Sequence, residues 1–185
     1  MTKMNTTDHT TGLIDSRARR FRRLGLILGL APLLALVILA PPATAQFVVN
    51  VGWDGSDYAP GNGDCDADPG PGFACTLRAA LEENDALGGG TLISLLPLPD
   101  VFKLDPLFPG LFIASDVEIE GTGPFLPVID GLGAAGRSVF SIDAGVVARF
   151  EFLQIQGGHA DIGGGILCNN CSSPTISNCL ITENT

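Results

Sequence analysis

A 26-residue repeat in the C-terminal part of the chain constrains its fold more than any other feature. Residues 138–158 match residues 164–184 at a constant offset of 26. Apolar residues that recur at one position in every coil are required in a parallel β-helix, because each coil stacks its inward side chains on the next. The repeat predicts an all-β parallel β-helix of about 3–4 short coils, with chance similarity between apolar strands as the alternative. The apolar pairs are Phe140 with Ile166, Ile142 with Cys168, Phe150 with Ile176, Leu153 with Cys179, and Ile155 with Ile181.

A second match predicts where one coil is longer than the others. Residues 117–121 (VEIEG) match residues 153–157 (LQIQG), with about ten extra residues between them. We expect an inserted loop around residues 121–126 to account for this difference.

Short apolar runs, each ended by Gly, Pro, Asp or Asn, succeed one another from residue 91 onwards. Many short strands at even spacing are typical of a sandwich, a barrel or a solenoid, and the repeat favours the solenoid. A weaker alternating run before them predicts a first strand. The predicted strands span residues 47–51, 91–95, 101–104, 111–113, 117–120, 127–130, 138–142, 146–156, 165–168 and 175–182.

One amphipathic helix is predicted at residues 75–86. Thr76 is the expected N-cap, because its hydroxyl can accept a hydrogen bond from an amide of the first turn. Glycines at positions 88–90 are expected to end the helix, since glycine adopts the left-handed C-cap conformation without steric cost. We expect the helix to be an N-terminal end cap that shields the inward side chains and free edge of the first coil. Its covering face consists of Leu77, Ala80, Leu81, Asn84 and Leu87, which recur at helical spacing.

Residues 1–45 carry the features of a secretory signal peptide. Five arginines lie between positions 17 and 23, an uncharged apolar run follows at residues 24–40, and Ala43-Thr44-Ala45 fits a cleavage site. We therefore expect a mature chain that starts at Gln46 and is secreted. An uncleaved signal anchor is the alternative, because the 17-residue run is close to the minimal length for a membrane span.

The mature chain is strongly acidic. Residues 46–185 contain Arg78, Lys103, Arg137 and Arg149 against 18 acidic residues, which gives a net charge of −14. Nucleic-acid binding requires a basic surface and is excluded. An acidic, glycine-rich exported chain favours a soluble surface protein, with divalent cations as candidate partners.

Two structural regions are predicted in the mature chain. We expect residues 46–90 to form an N-terminal cap, made of a strand, an Asp/Gly-rich loop and the helix, and residues 91–185 to form the coils. Thr185 closes a strand whose turn would lead into another coil, so we expect either a fragment of a longer chain or a very short relative that leaves its last coil exposed.

The loop before the helix contains two cysteines and a row of aspartates. Cys65 and Cys75 stand ten residues apart around a Gly/Pro-rich stretch, which in an exported chain predicts a disulfide, with free thiols as the alternative. Asp64, Asp66 and Asp68 alternate like the start of a calcium loop, but a proline interrupts the pattern. We expect a solvated turn and no cofactor, with Ca²⁺ at these three aspartates as the alternative.

The segment CTLRAALEENDA at residues 75–86 resembles the motif of the CSLREA domain, which opens many secreted bacterial β-helix proteins. The segments VEIEGTG, SVFSI, LQIQGG and SNCLITENT are similar to the coils of such proteins, including those similar to polymorphic outer-membrane proteins. The resemblance covers the whole mature chain and implies a right-handed β-helix, either secreted or at the bacterial cell surface. It implies no particular reaction. Ala79 stands where Glu is common in the motif, so any role of that Glu has no counterpart here.

Several other side chains could carry chemistry, and we expect each of them to be structural. His159 lies in a Gly-rich turn with one acid nearby and no evident nucleophile. Cys168, Cys171 and Cys179 are too few for a usual zinc site, so a disulfide or inward packing is expected. Arg78 is expected to form an ion pair or a capping contact.

The acidic side chains show no catalytic pattern in the sequence. Asp130, Asp143 and Asp161 lie at turns, no acid recurs at one coil position, and the few cations are scattered. The Glu82-Glu83 pair is expected to be a solvated face of the helix.

We therefore expect a non-catalytic secreted or cell-surface β-helix that serves as a structural, adhesion or passenger-type scaffold. Its partners would be surface glycans or proteins, with membrane contact only through the signal peptide or a C-terminal anchor beyond this sequence. The alternative is a polysaccharide lyase or glycoside hydrolase that acts on acidic polysaccharide. Such an enzyme would need three or more carboxylates that converge on a groove.

Overall fold

The computed structural model describes residues 46–70, 72–97, 101–171 and 173–185, so the predicted signal peptide lies outside the described residues. One helix and twelve short strands follow one another in the described part of the chain. They are β1 (Gln46–Val49), α1 (Leu77–Ala86), β2 (Thr91–Leu95), β3 (Phe102–Lys103), β4 (Leu111–Ile113), β5 (Val117–Gly121), β6 (Val128–Asp130), β7 (Phe140–Ile142), β8 (Ala148–Glu151), β9 (Gln154–Gln156), β10 (Ile166–Cys168), β11 (Thr175–Ser177) and β12 (Leu180–Ile181).

The strands form three parallel sheets that together make a β-solenoid. The first sheet has the order β1-β2-β5-β8-β11, the second β3-β6-β9-β12, and the third β4-β7-β10. Each coil contributes one strand to each sheet, so β2 to β10 make three complete turns and β11 and β12 open a fourth. The predicted parallel β-helix architecture is confirmed.

The register of the strands confirms the 26-residue repeat. β10 lies on β7, β11 on β8 and β12 on β9, always at this offset. Backbone pairing therefore brings together residues that the sequence comparison also aligned. The pairs are Phe140 with Ile166, Ile142 with Cys168, Phe150 with Ile176, and Ile155 with Ile181.

Inward side chains of successive coils form continuous apolar stacks. In the first sheet, Ile93, Ile119 and Phe150 share one register position, and all three are fully buried. The Phe150 ring meets Phe140 of the third sheet edge to face, with ring centroids 5.0 Å apart. Burial of each such side chain contributes about 1.5–3 kcal/mol, so these stacks, more than the short strands, stabilise the solenoid.

The shorter sequence match, between residues 117–121 and 153–157, is wrong. β5 pairs with β8, which places Val117 beside Ala148 in the first sheet, whereas Gln154–Gln156 forms β9 in the second sheet. Inward and outward side chains alternate in the same way in all three sheets, so the pattern does not reveal to which sheet a strand belongs.

The inserted loop lies at the predicted corner, between β5 and β6. Val117 and Val128, which begin these strands, are 11 positions apart, whereas Ala148 and Gln154 of the next coil are six apart. The second coil is therefore five residues longer than the third at this corner, and the expected excess of about ten was too large. The first coil is nearly as long here, since Thr91 and Phe102 are 11 positions apart and their partners Val117 and Ile129 are 12 apart.

Two long predicted strands are each divided by a residue in the left-handed backbone region. Phe152 (φ 55°) separates β8 from β9, and Asn178 (φ 53°) separates β11 from β12 at the same corner of the next coil. Asparagine adopts this conformation more readily than most residues, whereas phenylalanine does so rarely. The backbone conformation at these two positions is therefore set by the repeated corner of the solenoid, and not by the preference of the residue type.

The helix begins after Thr76, whose Oγ1 accepts a hydrogen bond from the amide of Ala79 at 3.0 Å, as predicted. Leu77, Ala80, Leu81 and Asn84 of the predicted face are buried, and the helix contacts β1, β2 and β4. The prediction for Leu87 is wrong: it is 45% exposed, because the helix ends at Ala86 and Gly88 turns the chain away with φ 89°. No helix in the described part of the chain is long and apolar enough to cross a membrane.

Candidate functional site

Arg78 joins the helix to two loops. Its Nε and Nη2 atoms donate hydrogen bonds to Oδ1 and Oδ2 of Asp54 at 2.8 and 2.9 Å, and Nη2 also donates to the carbonyl of Pro109 at 2.8 Å. The guanidinium carbon lies 5.1 Å from the centre of the Phe108 ring. Both charged side chains are almost completely buried, so the predicted ion pair exists and has a structural role.

Arg137 binds carbonyls of the same loop. Its Nη1 atom donates hydrogen bonds to the carbonyls of Asp105 and Phe108, and Nη2 donates to the carbonyl of Gly131, each at 2.7 Å. Burial lowers the pKa of Arg137, although the negative charge of Asp54 opposes this effect. Two buried guanidiniums thus bind carbonyls along the loop between β3 and β4 and fix its conformation.

The loop before the helix is anchored by two glutamates of α1. The Glu83 carboxylate is fully buried and accepts hydrogen bonds from the amides of Gly61 and Gly63, and Oε2 of Glu82 accepts one from the amide of Asp57 at 2.7 Å. The prediction that both glutamates are solvated is therefore wrong for Glu83. Its burial is tolerated because backbone amides compensate the charge.

Asp57, in this loop, has an incomplete set of hydrogen bonds. Its side chain is buried, Oδ1 accepts from the amide of Ala59 at 3.0 Å, and Oδ2 has no hydrogen-bond partner among the described residues. Burial raises the pKa of Asp57, and the negative charges of Glu83 and Glu82 raise it further.

The predicted calcium ligands lie in the same loop, where the carboxylates of Asp66 and Asp68 accept hydrogen bonds from backbone amides. Oδ1 of Asp66 accepts hydrogen bonds from the amides of Asp68 and Ala74, Oδ1 of Asp68 accepts one from Gly70, and the amide of Asp64 donates to Asn62. These contacts are those of the solvated turn. Within the described ranges, no three His, Cys, Asp or Glu side chains are grouped as a metal site requires.

Two cysteine pairs lie at disulfide distance. The Cα atoms of Cys65 and Cys75 are 5.1 Å apart, which fits the predicted staple of the loop onto the start of the helix. The Cα atoms of Cys168 and Cys171 are 5.3 Å apart, and Cys179 is a partly buried thiol packed against the core. This arrangement matches the disulfide and packing alternatives to zinc binding.

The candidate catalytic residues do not come together. His159 is exposed and contributes backbone rather than side-chain contacts, since its amide and carbonyl bond to Arg137 at 2.9 and 2.7 Å. Asp130 accepts from Gln156 on the second sheet, whereas Asp143 and Asp161 are exposed at separate turns.

The acids do recur at one coil position, contrary to the sequence prediction. Glu120 and Glu151 are register partners on the outer face of the first sheet, beside Glu118, whose Oε1 lies 3.7 Å from Nε of Arg149. The recurrence follows the 31-residue spacing of β5 and β8 rather than the repeat of 26, which is why the sequence comparison missed it. An alignment of the coils that allows for the inserted loop would have revealed the recurring acids.

We consider two grooves on the described part of the surface. One has a volume of about 810 Å³ and runs over the outer face of the third sheet, where Phe112, Ser141 and Leu167 form one row. The other has a volume of about 680 Å³ and is lined by Trp53 and Lys103, among other residues. We call the second one the Trp53 groove.

Comparisons with protein-family models, with curated proteins and with solved structures give no match for this chain. Its function is therefore inferred from its own residues.

Proposed function

We propose that this chain is a non-catalytic scaffold: a secreted or bacterial cell-surface, right-handed parallel β-helix of the CSLREA-domain type. Its role is structural or adhesive, and its partners are surface glycans or proteins. The observation that carries this proposal is that the buried ionisable groups hold loops in place. Arg137 and Glu83 bind backbone groups of loops, and Arg78 binds the Asp54 carboxylate and the carbonyl of Pro109.

Helix α1 is the N-terminal cap in this proposal. Its buried face contacts β1, β2 and β4, and its polar side chains hold the loop that precedes α1 and the loop that precedes β4. A solenoid needs an end that keeps its apolar stack away from water, and a helix with one apolar face serves this purpose. The Cys65–Cys75 pair at the helix start supports export, because disulfides persist in oxidising compartments.

Export and the state of the cysteines can be tested together. The protein purified after export and denatured without reductant should bind one equivalent of a thiol reagent, at Cys179, because the other four cysteines are paired. Five reactive thiols, or retention of the chain in the cytoplasm, would contradict a secreted scaffold.

A polysaccharide-degrading enzyme is the second candidate, and the acidic row on the first sheet favours it. Glu118, Glu120 and Glu151 share one outer face, although Glu118 is already close to Arg149. The test is uronate release from polygalacturonate with and without Ca²⁺. We expect no release. Activity that disappears in the Glu120→Gln and Glu151→Gln variants would establish the enzyme instead.

A further inference from the structure

We infer that the Trp53 groove is a binding site for a glycan that carries a carboxylate, such as a uronic acid residue. The inference rests on the proposed role as a non-catalytic binding scaffold and names the ligand of that role. Three features carry it: an exposed indole that is held in place, an exposed cation beside it, and an open groove of about 680 Å³ that contains both.

The Trp53 indole is exposed but fixed. It is 48% exposed, and its six-membered ring packs on Gly55 so closely that a β-carbon at position 55 would lie 2.5 Å from Cζ3. The backbone on either side is also anchored, because the carbonyl of Gly52 accepts from the amide of Lys103 at 2.9 Å and Asp54 is bound by Arg78. A flat apolar surface in solvent is thus preorganised, which reduces the entropy lost when a ring stacks on it.

Lys103 provides a positive charge at the same groove. Among the described residues, Arg78 and Arg137 are buried and Arg149 faces Glu118, whereas Lys103 is exposed with no carboxylate within 4.0 Å. A chain with a mature charge of −14 repels anions in general, so an anionic ligand would bind where a cation is available.

A carboxylated pyranose matches both features. The C–H face of its ring can stack on the indole, its carboxylate can pair with the Lys103 ammonium, and its hydroxyl groups remain in water because the groove is open. The Asp105 carboxylate also lines the groove and can accept a hydrogen bond from a hydroxyl of the sugar.

Tryptophan fluorescence tests the inference directly, because Trp53 is the only tryptophan of the chain. The exported protein is titrated with oligogalacturonate and with its methyl ester, which has the same rings without the charge. We expect a saturable fluorescence change with the acid, and affinity about 2–5-fold weaker with the ester, as expected for one exposed ion pair. Added salt should reduce this difference.

Variants of Lys103 and Trp53 separate the contribution of the positive charge to binding from that of the aromatic ring. Lys103→Gln should weaken binding of the acid about 2–5-fold and leave the ester unchanged, whereas Arg149→Gln, which removes a charge from the first sheet, should change neither. Trp53→Ala, followed by calorimetry, should weaken both ligands at least about tenfold, and Tyr58→Ala is its matched aromatic control.

The inference is overturned if neither ligand produces fluorescence change or heat, or if Arg149→Gln weakens binding as much as Lys103→Gln does. Absence of binding in a folded, inactive protein leaves the scaffold proposal intact. Breakdown of oligogalacturonate during the titration would overturn the scaffold proposal instead, so the two failures are distinguishable.

Discussion

The Arg78 guanidinium and the Asp54 carboxylate face each other through two hydrogen bonds of 2.8 and 2.9 Å, in a place that solvent hardly reaches. Their side chains are 7% and 1% exposed. The Asp54 carboxylate also accepts a hydrogen bond from the amide of Asp105 at 3.0 Å, so one ion pair connects the helix with two separate loops. Loss of either partner would leave a buried charge without compensation.

Arg78→Ala should therefore destabilise the protein by about 3–5 kcal/mol, the range found when one member of a buried pair is removed. Arg78→Lys should recover little of this loss, because an ammonium cannot make the two-point contact with Asp54. The measurement is equilibrium unfolding in urea. Arg149→Gln, which disrupts an exposed pair, is the control and should change stability by no more than about 1 kcal/mol. Equal effects of the two variants would show that the buried pair has no special role.

Removal of the Cys65–Cys75 disulfide should cost roughly 2–3 kcal/mol, because the bond closes a loop with a sequence separation of 10. Removal of Cys168–Cys171, whose separation is 3, should cost roughly 1.5 kcal/mol. Thermal unfolding of the paired Cys→Ser variants provides the comparison. The reverse order would contradict a chain-entropy origin of the stabilisation.

Asp57→Asn should stabilise the protein at neutral pH. Burial raises the pKa of Asp57 above its ordinary value of 3.8, so the folded state holds the proton more tightly than the unfolded chain. The stability that this proton contributes is complete below about pH 3.8 and is lost as the pH rises through the folded-state pKa. The gain from Asp57→Asn should therefore grow with rising pH and disappear in acid. Asp64→Asn, at an exposed position in the same loop, should show no such trend.

Glu83→Ala should release the loop that contains Gly61 and Gly63. Both amides donate to this carboxylate, and hydrogen bonds to charged groups contribute about 1.5–3 kcal/mol each. Hydrogen exchange at Gly61 and Gly63 should become much faster, while exchange in β5 and β8 stays slow. Glu82→Gln is the matched control, since it leaves the Glu83 contacts in place. Unchanged protection of the two glycines in Glu83→Ala would refute the anchoring role.

The coil architecture could be predicted because it depends on one repeated physical requirement. Every coil must place apolar side chains next to those of the preceding coil. This requirement is visible in the sequence as the apolar pairs Phe140 with Ile166 and Phe150 with Ile176. The helix was equally predictable, since the Thr76 cap and the spacing of Leu77 and Leu81 are local signals.

The role of Glu83 could not be predicted from the same signals. A glutamate on a helix is normally solvated, and only the positive φ angles of Gly61 and Gly63 place two amides where they neutralise it. The register of Glu120 and Glu151 was hidden for a different reason, because it depends on the length of a corner loop. Both the role of Glu83 and the register of Glu120 and Glu151 depend on residues that are distant in sequence, and a local sequence pattern does not reveal such relationships.

The corner between β5 and β6 is five residues longer than the equivalent corner of the third coil, which shows how much the length of a corner can vary in this fold. The corner grows while β6 and β9 keep the uninterrupted pairing of Ile129 with Ile155. Longer loops add little closure entropy, so insertions at this position are cheap for the fold. New recognition surfaces can therefore be added at the corners of the solenoid, one coil at a time, without any revision of its core.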